Sequence, residues 1–177
     1  PLSQLENRAG QIQSKVRLLN NEKFIIHNKF FDNEFANQIY EDYKNYNIYF
    51  ISDIRSDIDE ISVKNDMINQ KNWVYIIKPV YSMLKFRLPY ILDNKNEKFK
   101  YLKGIIYLPI WSSTNTTESR LVIDGKKLHE KEYNCLKYEN VMCGFNNLYR
   151  NSFFLHKYIC KDMSYDYCYD CIAEIFV

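Results

Sequence analysis

The strongest constraint on this chain is the stretch Asn47 to Ser56, NIYFISDIRS, in which a short apolar and aromatic run drives straight into an acid. A run of that length and composition reads as a buried strand of a parallel sheet. In an open α/β sheet, ligands gather outside the carboxyl ends of the strands. A carboxylate at that point, Asp53, is better placed for chemistry than for packing. The next apolar run, Trp73 to Val80 (WVYIIKPV), reads as the neighbouring strand, with Lys85 close behind it. One strand ends in an acid and the next leads to a base.

The rest of the chain is arranged around those two strands. Leu2, Leu5, Ala9, Ile12, Val16 and Leu19 recur at helical spacing, so residues 1–21 read as an N-terminal helical segment. Gly10 weakens that helix by about 1 kcal/mol relative to alanine. Lys23 to Asn28 reads as a short strand, and Asp32 or Asn33 can cap a helix carrying Phe35, Ile39 and Tyr43. A polar, Asp-rich stretch and a helix through Met67 precede the strand from Trp73. Strand, helix, strand is the signature of parallel βαβ units and of the α/β class. Beyond it, Asp93 to Lys100 reads as a surface loop. Gly104 to Trp111 and Arg120 to Ile123 read as strands, and Asp124-Gly125 as a turn. Leu128 to Tyr149 reads as mostly helical with a break near Gly144, and Tyr165 to Val177 as helix or strand. No linker or repeat divides the chain, so a single domain spanning 1–177 is expected.

Composition narrows the function classes only in part. A net charge of +2 does not announce nucleic acid, so any basic groove must come from local placement. No run approaches the roughly 18 apolar residues of a membrane span, and no membrane role is expected. The five cysteines are an odd number, which favours reduced thiols in an intracellular compartment over a disulfide framework. His156, Cys160, Cys168 and Cys171 include one C-x-x-C pair, weak support for zinc, and no metal is expected.

Asp53, Lys85 and Glu118 each fall at or just after an expected strand end. A lysine flanked by carboxylates can act as a general base only if something offsets their preference for its charged form. The local sequence says more. Tyr49 to Ser56 (YFISDIRS), Ile77 to Pro89 (IKPVYSMLKFRLP) and Thr117 to Leu121 (TESRL) occur in that order. Phe24 to Asp32 lies upstream, with Tyr138-Glu139 and Ser164 to Tyr167 downstream. This ordered set resembles the poxvirus cap-specific mRNA 2′-O-methyltransferase family, which also serves as the regulatory subunit of viral poly(A) polymerase. The resemblance covers residues 22–177.

The resemblance implies a Rossmann-like S-adenosylmethionine-dependent methyltransferase sheet with flanking helices. It implies Asp53, Lys85 and Glu118 as catalytic residues around a ribose 2′-hydroxyl, Lys85 being the base and Arg120 pinning Glu118. Phe30, Phe31, Asp53 and Ile54 would line the cofactor cleft. Tyr90 would stack on the cationic 7-methylguanine of the cap, Asp93 and Glu139 would accept from its edge, and Arg87 would meet phosphate. Expected partners are capped mRNA and a poly(A) polymerase or capping-enzyme subunit; the expected location is the cytoplasm, in a viral factory or virion. The family's glycine-containing donor loop and first catalytic lysine would precede residue 22, and Pro1 to Asn21 contains neither. Either the chain is a fragment, or it is a degenerate homologue that no longer methylates. Two functions therefore stand side by side: a cap ribose 2′-O-methyltransferase, and a non-catalytic, methyltransferase-like subunit that binds RNA or stimulates a partner enzyme. A methyltransferase acting on another nucleic-acid site is a third.

Overall fold

The computed structural model describes residues 25–90, 98–108 and 116–149. Contacts divide the chain into two units, Pro1–Phe31 and Asp32–Val177. Of the first, only residues 25–31 are described, and they are irregular. The strand expected over 23–28 is therefore not formed at Ile25 to Asn28, which are irregular and leave Ile25 exposed. The expected helix over 2–19, residue Asp93, the end of the strand toward Trp111 and everything after Tyr149 lie outside the described residues.

The second unit opens with helix α1, Asn33–Tyr43, capped as expected by Asp32, whose Oδ1 accepts from Phe35 N at 2.8 Å. Strand β1 follows, Tyr49–Ser52, ending immediately before Asp53. Helix α2 then runs Glu60–Ile77, with Asp59 accepting from the backbone of Ile61 and Ser62 at its start. Here the structure corrects the sequence reading: Trp73 to Ile77 is the end of this helix, not a strand. Val63, Asp66, Met67, Gln70, Trp73, Val74 and Ile77 are buried, a single stripe at helical spacing that runs through the apolar stretch. Lys78 then adopts the left-handed conformation, φ 51°, and Pro79 prevents the helix from continuing.

The true neighbour of β1 is β2, Tyr81–Phe86, so Lys85 sits inside a strand rather than after one. The remaining elements are β3 (Lys98–Leu102), β4 (Ile105–Tyr107), β5 (Ser119–Asp124), β6 (Glu130–Asn134) and helix α3 (Cys135–Gly144). A π-type turn carries the chain past Gly144 to Tyr149. The loop expected through Lys100 gives way to β3 at Lys98, and the helix expected from Leu128 is preceded by β6. Those two strands pair antiparallel, which the nearly all-polar EKEYN of β6 does not announce.

The main sheet has the order β1-β2-β5-β4. β1 and β2 are parallel, joined through α2, while β5 runs antiparallel to both β2 and β4. The result is a mixed α/β unit with a mixed sheet and flanking helices, not an all-parallel one. Strand alternation sorts its two faces. Leu84, Phe86, Leu121 and Ile123 point into a core shared with Met67 and Val74 of α2, Tyr101 and Tyr133 of the two-stranded sheet, and Tyr138 of α3. Phe86 is central: its ring lies 5.8, 5.3 and 5.5 Å from those of Tyr101, Tyr133 and Tyr138. The opposite face carries Tyr49, Ile51, Tyr81, Ile105 and Tyr107, all exposed, with Lys85 and Arg120 at one end.

Candidate functional site

Three strand termini meet where β1 and β2 end and β5 begins. Asp53 stands one step beyond the Ser52↔Leu84 pair, which sets it beside Lys85. Lys85 pairs directly with Arg120 across β2 and β5, both on the exposed face. Glu118 precedes β5 rather than following a strand, and the reversed direction of β5 is what returns it to the carboxyl edge of β1 and β2.

The outcome is a compact ionic cluster. Lys85 Nζ lies 3.2 Å from Asp53 Oδ1 and 3.2 Å from Glu118 Oε2. Arg120 grips the same two carboxylates from the other side, at 2.9 Å to Asp53 and 2.7 Å to Glu118. Arg55 approaches Glu118 at 3.9 Å and Asp66 at 4.0 Å. Three cations and three carboxylates thus balance. Exposure is graded across them: the Asp66 side chain is 6% exposed, Lys85 14%, Glu118 29% and Asp53 61%. Lys85 is sheltered, while Asp53 stands at the mouth.

The supports are also specific. Asp66, on the buried stripe of α2, accepts from Ser56 N at 2.8 Å and Ser56 Oγ at 2.9 Å, fixing the turn after Asp53. Gln70 Nε2 donates to the Lys85 carbonyl at 3.1 Å. Glu118 is held from beneath: the Tyr138 hydroxyl donates to the Thr117 carbonyl and lies 2.9 Å from Ser119 Oγ and 3.3 Å from the Phe86 carbonyl. One phenol in the core therefore ties the residues flanking Glu118 to the residue after Lys85. Burial pushes that phenol's pKa well above the usual tyrosine range, so it remains a neutral donor.

The residues expected at the cap are arranged differently from a free binding surface. Arg87 is buried, pairs with Glu60 at 2.9 Å and lies 4.5 Å from the centre of the Tyr90 ring. It is thus engaged inside the protein, where a phosphate contact had been expected. Tyr90 is exposed, its N–H held by Glu60 at 2.8 Å and its hydroxyl 2.8 Å from Thr117 Oγ1. One ring face is covered by the guanidinium. Glu139 is half-buried one residue beyond Tyr138, Ile54 half-buried beside Asp53, and Asp93 lies outside the described residues. Phe30, almost fully exposed, and Phe31 belong to the first unit. Sequence reasoning missed Arg55, Glu60, Asp66 and the Tyr138 clamp. A usable signal existed for Asp66, a charged residue on the apolar stripe of a helix; Glu60 gave none.

Among the described residues no group of three or more His, Cys, Asp or Glu side chains could hold a metal ion, and no helix is long and apolar enough to cross a membrane.

Fold and site together define a mixed α/β protein with a sheltered lysine between two carboxylates at a strand end. The chain belongs to the poly A polymerase regulatory subunit family, whose sequence profile matches residues 10–175. No curated protein matches the chain.

Proposed function

We propose that this chain acts as an RNA-binding, methyltransferase-like subunit working beside a poly(A) polymerase, and that its ionic cluster is a centre for ribose 2′-O-methylation. The polymerase partnership is supported by the family match over residues 10–175. The chemical reading is carried by one observation: Lys85 Nζ sits 3.2 Å from both Asp53 and Glu118 at the carboxyl edge of a parallel strand pair.

The residues at this edge fit the reacting end of a sulfonium donor. Asp53 offers an exposed carboxylate to a cation, Ile54 an apolar contact, and Ser52 Oγ is buried with no hydrogen-bond partner among the described residues. S-adenosylmethionine, when bound, supplies the methyl group on a positively charged sulfur. Lys85, once neutral, takes the proton that the ribose 2′-oxygen gives up. Asp53 and Glu118 fix the amine on two sides, and Arg120 keeps those carboxylates from collapsing onto it. Holding the acceptor oxygen in line, away from water, is the main catalytic contribution of such an arrangement. Tyr90 presents its free face to the cap base. The implied fold is a Rossmann-like methyltransferase sheet.

The test uses the full natural protein in two assays. With capped RNA and methyl-labelled donor, label should appear at the 2′-oxygen of a cap-adjacent nucleotide. With the cognate polymerase, tails should lengthen. Tail extension without any label would leave the stimulatory role alone, the reading that the family match favours. Label without extension would leave the enzyme alone.

A further inference from the structure

A cavity of about 320 Å³ opens at the other end of the same sheet, lined by Tyr81, Lys103, Ile105, Asp124, Lys127 and His129 among others. That volume lies in the range of small-ligand sites. Tyr81 and Lys85 point to the same face of β2, four residues apart, so the cavity stands about 13 Å from the ionic cluster. The two are separate sites.

Its walls are fixed by the backbone. Lys103 N donates to the His129 carbonyl at 2.8 Å, joining the turn after β3 to the turn before β6. Gly104 lies so close to β5 that a Cβ there would run into the Val122 carbonyl oxygen. Asp124 Oδ1 accepts from Lys126 N at 3.0 Å and Gly125 N donates to Val80 O at 2.9 Å, which sets the turn carrying Lys127.

The lining carries more cations than carboxylates. Lys103 and Lys127, like Lys126 and Lys137, have no carboxylate partner among the described residues, whereas Lys71, Lys85 and Lys98 are ion-paired. Lys103 and Lys127 thus line the cavity against one carboxylate, Asp124, itself engaged in its turn. His129 Nδ1 lies 2.6 Å from the Lys127 carbonyl. A carbonyl cannot donate, so Nδ1 carries the proton, and Nε2 is left to accept from a hydroxyl when the ring is neutral or to donate when it is charged. Tyr81, half-exposed, adds a flat aromatic wall, stacked at 10° against Tyr49.

We propose that this cavity binds a ribonucleotide: the base on Tyr81, the phosphate between Lys103 and Lys127, and the ribose hydroxyls on Asp124 and His129. The ligand is either a free nucleotide or one unit of a single-stranded RNA. Aromatic platforms beside unpaired cations are the general means by which single strands are held.

The full chain is titrated with AMP and, separately, with an uncapped eight-nucleotide RNA. Lys103→Glu/Lys127→Glu should weaken binding at least tenfold and flatten the salt dependence of RNA binding, with a log–log slope smaller by about 0.7 for the one phosphate released. Tyr81→Leu should cost roughly tenfold, and Tyr81→Phe should keep wild-type affinity. Sensitivity of both ligands to these changes assigns a free-nucleotide site; sensitivity of RNA alone assigns a strand site. Failure of both ligands to bind, or affinities unchanged in both Tyr81→Leu and the double lysine variant, overturns the proposal. Methyl transfer is not the readout, so the result stands whichever way the methylation assay falls.

Discussion

Replacing Lys85 separates a proton acceptor from an electrostatic fixture. Deleting one partner of a fully buried ion pair costs roughly 3–5 kcal/mol, because the other charge is stranded. Here the stranded charge is shared: Arg120 remains at 2.9 and 2.7 Å from the two carboxylates, and Asp53 is more than half exposed. Lys85→Met should therefore cost about 1–2 kcal/mol, a fall in Tm of about 2–8 °C for a chain of this size. Lys85→Arg keeps the positive charge and should recover most of that stability. Turnover should not follow. Arginine cannot shed its proton usefully, so both variants should lower single-turnover methyl transfer by about 10² or more, equivalent to about 2.7 kcal/mol of barrier. Thermal melting, donor and capped-RNA binding, and transfer of labelled methyl would be measured on the full natural protein. Recovery of near-normal turnover by Lys85→Arg would refute the assignment, since stability and catalysis would then track charge alone.

Three further outcomes follow from the geometry. Tyr138→Phe leaves Ser119 Oγ its bond to the Phe86 carbonyl at 3.1 Å but strips the donor from the Thr117 carbonyl; it should cost about 1–3 kcal/mol in a denaturant melt and lower methyl transfer without changing donor affinity. Tyr90→Ala should weaken capped-RNA binding by about 1 kcal/mol, the low end for stacking because Arg87 already covers one face, and should leave uncapped RNA nearly unaffected; equal losses in titrations of the two RNAs would make Tyr90 purely structural. Finally, burial pushes the Tyr133 phenol up to about 12 and raises those of Tyr101 and Tyr138, so the folded state holds these protons more tightly than the unfolded chain. Their contribution is intact below about pH 10 and should fade as pH rises from 10 toward 12, seen as a falling melting temperature in an alkaline series.

How much of this was legible in the sequence depended on whether local pattern or distant contact decided the outcome. Asp53 at a strand end could be read because an apolar run meets a charged one there, and Asp32 as a cap because its role is local. Trp73 to Ile77 misled because a short apolar run has no period of its own. Only extending the count back to Val63 reveals the helical stripe. That error displaced the second strand and with it the setting of Lys85. The pairing of Arg120 with Glu118 could be inferred from two neighbouring residues, but its grip on Asp53 could not, since it depends on β5 lying against β2. Arg87 was legible as a cation but not as a buried one, because Glu60, its partner, is brought near only by the fold.

The alternation along β2 and β5 also ties the cluster to the core. The register that places Lys85 opposite Arg120 is the same one that turns Leu84, Phe86, Leu121 and Ile123 inward. A slip of one residue by either strand would invert that strand's side chains, exposing its two apolar residues and turning its cation, Lys85 or Arg120, toward the core. A form shifted by one residue therefore loses core and cluster together. Packing of the core thus selects against the single-residue shift that would dismantle the ionic centre.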